Sequence, residues 1–126
     1  MFVKTIAIAL IVPALSACAV TMQSGADFTS QYAVSYDALA DCVYDNEDWG
    51  GGPGPRFIRR PAIGETRIEA QGGFDTTTIL LFKRAPGGGA IVEIRVASNP
   101  ERQTARFRAT IDRCVSTLPA AAQTPA

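Results

Sequence analysis

The chain has no histidine, one tryptophan and three cysteines among its 126 residues. Without histidine it lacks the usual general base of enzymes that work near neutral pH. It also contains no Gly-x-Ser-x-Gly, which excludes hydrolases of the nucleophile-elbow type. No excess of either charge is present, since twelve Lys and Arg balance twelve Asp and Glu. A protein that binds a polyanion is expected to be net basic, so nucleic acid is not expected as a partner. No apolar run approaches the roughly 20 residues that span a bilayer as a helix, and neither an internal repeat nor a heptad array is found.

What the chain does have is concentrated at its start. One charge, Lys4, precedes the apolar run Ile6 to Val12, with Ala14 and Leu15 behind Pro13. Charge, run length and the small residues that follow have the proportions of an export signal. The run ends in Leu15-Ser16-Ala17-Cys18. These four residues resemble the lipobox of bacterial lipoproteins, in which a Leu, a small residue and Ala or Gly precede the Cys. The resemblance implies that the Cys18 thiol carries a diacylglyceryl group and that the signal, residues 1–17, is cut off between Ala17 and Cys18. The new amino group is usually acylated as well. Two or three acyl chains anchor stably, at about 0.8 kcal/mol per buried CH₂. In lipoproteins of this kind an Asp after the modified Cys often retains the protein in the inner membrane. Here Ala19 and Val20 follow, so the implied destination is the inner leaflet of the outer membrane, facing the periplasm.

With Cys18 lipidated, two cysteines remain, Cys42 and Cys114. In an oxidising compartment two thiols of a small domain pair, and closing so long a loop stabilises by about 4 kcal/mol through the entropy of the unfolded chain. The alternative is two buried, reduced thiols. A zinc site is not expected, because two thiolates without histidine cannot complete a tetrahedron. Removing the signal also removes Lys4, which leaves the mature chain eleven cations against twelve carboxylates.

Residues 18–34 are mostly small and polar and read as the lipidated end and a flexible tether. Ser35 is a suitable N-cap for a helix to about Asp45, with Tyr36, Leu39, Ala40 and Val43 on one face. The run Gly50 to Pro55 forbids regular structure. Short strand patterns follow. Arg56 to Ile63 holds Pro61 and suggests an edge. Thr66, Ile68 and Ala70 alternate with Arg67, Glu69 and Gln71, and Gly72-Gly73 signals a hairpin into Phe74 to Arg84. Ile79 to Phe82 is apolar on both faces, as in a central strand. Pro86 to Gly89 turns into Ile91 to Ala97. Asn99 and Pro100 then open a helix whose stripe Phe107, Ile111, Cys114, Val115 and Leu118 stops at Pro119. Residues 119–126 read as a disordered tail. The expected fold for residues 35–118 is an α+β two-layer sandwich. It has three to four antiparallel strands and two helices on one face, joined by the disulfide.

Few groups point to chemistry. Asp37, Asp41 and Asp45 form an acidic ridge on the first helix, with Glu47 and Asp48 beyond it. Two such carboxylates could act as acid and base on a sugar, but a solvated helix face is the simpler reading. Asp45 to Asp48 fails as a calcium loop, because Trp49 and Arg56 occupy ligand positions. No catalytic residue, metal ligand or cofactor is therefore assigned. Two features are better suited to binding. Arg56, Arg59, Arg60 and Arg67 carry guanidinium groups that match phosphate or carboxylate, or else keep an edge strand from aggregating. Trp49 suits an interface anchor or a cap on the core. A further expectation places Asp41, or Asp45, against Arg113 beside the disulfide.

Together these readings describe a non-enzymatic, lipid-anchored envelope protein. Its partners would be the membrane, through the N-terminal lipid, and another envelope protein. The competing reading is a small module that binds an anion, a glycan or an inhibited enzyme through the arginine cluster and the glycine loop.

Overall fold

A computed structural model describes residues 25–50, 54–72 and 75–118. Cys18, the export signal and the tail 119–126 lie outside the described residues. The elements run β1 (Phe28–Tyr32), α1 (Tyr36–Asn46), β2 (Arg56–Arg60), a 3₁₀ turn (Pro61–Ile63), β3 (Glu65–Gly72), β4 (Asp75–Arg84), β5 (Ala90–Val96) and α2 (Pro100–Thr117). The strands form one antiparallel sheet in the order β1-β5-β4-β3-β2. Both helices pack on one face of it, giving the expected α+β sandwich with five strands instead of three to four.

The additional strand is β1. Phe28, Ser30 and Tyr32 alternate toward the helices while Thr29 and Gln31 are exposed, and the strand lies along β5 with Phe28 opposite Ile94 and Tyr32 opposite Ala90. Its sequence resembles a tether because an edge strand needs only a few apolar anchors. The chain before the fold is shorter by the same amount.

Periodicity dictates the rest. In α1 the residues Tyr36, Leu39, Ala40 and Val43 are buried, and the Ser35 hydroxyl accepts from the Ala38 amide at 3.4 Å. This satisfies one of the amides that a helix start leaves free. In α2, Phe107, Ile111 and Cys114 are buried, and Val115 and Leu118 pack against the same core. Asn99 holds the N-cap position without capping through its side chain. It adopts a left-handed backbone, φ 50°, which Asn tolerates better than most residues. β4 is central: Leu80 and Phe82 are fully buried under the helices and Leu81, on the other face, is 4% exposed.

Cys42 and Cys114 are joined, with their Cα atoms 5.9 Å apart. Beyond the bridge Glu47 meets Arg106 and Trp49 meets Phe107. Moving forward along α1 therefore means moving backward along α2, so the helices are antiparallel. Two ends of the molecule follow. One gathers the start of β1, the end of α1, the β3–β4 hairpin and the start of α2. The other gathers the 3₁₀ turn and the tight turn between β4 and β5.

Candidate interaction surfaces

Strand alternation divides the arginine cluster. Arg59 lies on the helix side of β2, opposite Thr66, whereas Arg56, Arg60 and Arg67 lie on the face away from the helices. Each meets a carboxylate of its own chain. Arg59 reaches Asp37 and Asp41, both at 2.6 Å, and lies over the Phe57 ring. Arg56 and Arg67 share the two oxygens of Glu69 at 3.3 and 3.1 Å, and Arg60 is 3.9 Å from Glu65. The cluster that sequence suggested for an anion is thus supplied with anions from within.

The same pattern continues across the sheet face away from the helices. Lys83 and Arg95 hold Glu93 at 2.7 and 3.3 Å. The Lys83 hydrogen bond, against some burial, sets the Glu93 carboxyl below its ordinary range. Five cations (Arg56, Arg60, Arg67, Lys83, Arg95) and three carboxylates (Glu65, Glu69, Glu93) share this face, an excess of two positive charges. Among the described residues no element covers it.

The acidic ridge is also committed. Asp37 and Asp41, one turn apart, look toward β2, where Asp37 additionally accepts from Thr66 Oγ1 at 3.2 Å. Cys42 looks toward α2 instead. The expected contact between Asp41 or Asp45 and Arg113 is therefore absent among the described residues, and Arg113 donates to Thr110 Oγ1 at 3.4 Å. Adjacent positions on a helix differ by about 100°, so a neighbour of the bridged cysteine faces another way.

Trp49 is half-buried as a cap on the core. Its Nε1–H donates to the Tyr44 carbonyl at 2.9 Å, and its ring lies 5.8 Å from that of Phe107 and 6.3 Å from that of Tyr44. Its outer edge borders a cleft of about 220 Å³ with Gln71, Thr77, Ser98, Gln103 and Arg106. Arg106 in turn holds the buried Glu47 carboxylate at 3.3 Å. The cleft offers amides, hydroxyls and one paired guanidinium, a lining that suits a small, neutral, hydrogen-bonding ligand. Sequence reasoning missed it because Gln71, Ser98 and Gln103 are ordinary surface residues that only the hairpin and the start of α2 bring together.

A second depression, about 430 Å³, lies between the start of β1 and the first turns of α2, lined by Asp27, Pro100, Glu101, Thr104, Ala105 and Arg108. The Thr104 hydroxyl is buried there without a hydrogen-bond partner. Arg108 lies over the Phe28 ring at 4.6 Å. Tyr32, at the other end of β1, has its hydroxyl pKa raised by burial and then by the nearby charge of Asp112. No family model, curated protein or solved structure matches this chain.

Proposed function

We propose that the chain is a lipid-anchored lipoprotein of the bacterial envelope, held at the inner leaflet of the outer membrane. It faces the periplasm and acts as a structural or interaction component without catalytic activity. The observation that carries this reading is the Leu15-Ser16-Ala17-Cys18 motif behind a short apolar run. A disulfide inside the domain agrees with an oxidising compartment. The arginines of the cluster each meet a carboxylate of the chain itself, which speaks against a dedicated anion site there.

The anchor can be tested directly. Radiolabelled palmitate should enter the wild-type chain and not Cys18→Ser, whose precursor should stay uncut or be miscut. Label persisting in the variant overturns the assignment. A second reading, a module for a small polar ligand such as a glycan, is favoured by the cleft beside Trp49. It requires that protein purified from cells retain a ligand that Gln71→Ala and Gln103→Ala together release, read by native mass spectrometry.

A further inference from the structure

The two edges of the sheet are β1 and β2, and a free edge is a template for another strand unless something guards it. β2 carries Arg56, Arg59 and Arg60 between Pro55 and Pro61. β1 reads Phe28-Thr29-Ser30-Gln31-Tyr32, with no charge and no proline. Among the described residues nothing lies along its outer side.

We infer that the outer edge of β1 is an interface for a second copy of this chain. Two β1 strands pair antiparallel about a two-fold axis at Ser30, so that the two sheets become one. The choice of a second copy rests on complementarity about that axis. Side chains directly opposite each other must share a face, and pairing centred on Ser30 aligns all five residues. Thr29 then faces Gln31 of the other copy, and Phe28 faces Tyr32, an aromatic cross-strand pair.

The helix above β1 repeats the match in charge. Arg108 sits over Phe28; Asp112 is one turn further along the same helix, and the charges of both reach the Tyr32 hydroxyl. Where Phe28 meets the other Tyr32, Arg108 meets the other Asp112, and the reciprocal pair forms by symmetry, as an isologous interface demands. Both side chains are exposed, and among the described residues neither has an ion-pair partner in its own chain. The two are four apart on one helix, yet Arg108 lies on the ring instead of on Asp112. The depression beside β1, with the unpartnered Thr104 hydroxyl in its wall, is the space into which the helix-side side chains of an added strand project. This pairing stands on the domain alone and does not require the anchor.

The test uses the full chain as exported, in its native membrane. Directly opposed residues of antiparallel strands have Cα atoms about 4.5 to 5.5 Å apart, within the range a disulfide spans. Ser30→Cys should therefore link into a species of twice the mass under mild oxidation, with Cys42 and Cys114 still protected from maleimide. Native mass spectrometry of the detergent-extracted protein should show two copies for the wild type. Arg108→Asp and Asp112→Arg should each weaken the dimer about tenfold or more, and the two together should restore it, which shows that the single variants had not simply unfolded. Ser30→Cys that stays at single mass, or that links only to a protein of another mass, overturns the inference. So does a double variant no more dimeric than either single one.

Discussion

The two outer strands of this sheet are about the same length and differ in almost everything else. β2 is bounded by Pro55 and Pro61 and carries three arginines, one of which ties it to α1 through Asp37 and Asp41. β1 has a neutral sequence and is held through its aromatic residues and by the turn between β4 and β5. Gly89 in that turn approaches so closely that an added Cβ would lie 2.7 Å from the Tyr32 carbonyl oxygen. One edge is closed by side chains; the other leaves its backbone available. The lesson is that edge protection is a property of each strand, so the unguarded strand is where association should be sought.

The largest expected effect treats both edges alike. Cys42→Ala and Cys114→Ala should each cost about 4 kcal/mol, and the double variant no more than either, because they are halves of one link. Urea unfolding measures this. Additive losses would mean that the thiols contribute separately.

Substituting one glycine near each edge should separate the edges. Gly89 has φ +87° and meets backbone, whereas Gly64 has φ +64° and meets the Arg84 side chain. Gly89→Ala should cost about 3 kcal/mol and Gly64→Ala about 1 kcal/mol. Hydrogen exchange should then quicken in β1 for the first variant and leave β1 unchanged for the second. Equal exchange in β1 would break the comparison.

A smaller change tests the guard on β2. Arg59→Gln removes two ion pairs that are about half exposed, so stability should fall by less than about 1 kcal/mol. Light scattering should nevertheless rise, because the edge has lost a charge that deters pairing. Unchanged scattering would leave the prolines as the effective guard.

The smallest effect concerns neither edge and serves as the control. Glu93 has a lowered pKa in the folded state, through Lys83 first and Arg95 after it. Its contribution is complete above the ordinary value of 4.5 and is lost as pH falls below that value through the folded one. Glu93→Gln should therefore cost a small amount of stability at pH 7, where the contribution is complete, and flatten the acid limb, so that variant and wild type converge as pH falls through the folded value. A difference that grows toward acid pH would contradict the sign.

Much of the fold was legible because burial imposes a period. The stripes of α1 and α2, the alternation of β3 and β5 and the two-sided apolar run of β4 all name their elements and their inward faces. β1 was not legible, since Phe28 and Tyr32 are separated by Thr, Ser and Gln and no local rule distinguishes such an edge from a linker. Charge was legible at the level of position but not of pairing. Four arginines within twelve residues look like one cluster, yet alternation sends Arg59 to the helix side and the other three to the opposite face. The expected partner for Arg113 failed for the rotational equivalent of the same reason. The cleft beside Trp49 could not be read at all, because its walls come from segments that only the fold brings together.

The early start of β1 has one more consequence. Six residues lie between Cys18 and Gly25, where the described fold begins, and the seven steps from one to the other reach at most about 25 Å. On the anchored reading every copy therefore moves in a thin sheet of space beside the lipid. Association there is governed by copies per unit of membrane area, and the effective concentration it creates can populate a contact as short as five residues. A two-fold axis normal to the shared sheet, with both anchors in one leaflet, must also run along the membrane normal. The strands would then lie flat against the bilayer instead of standing upright on it.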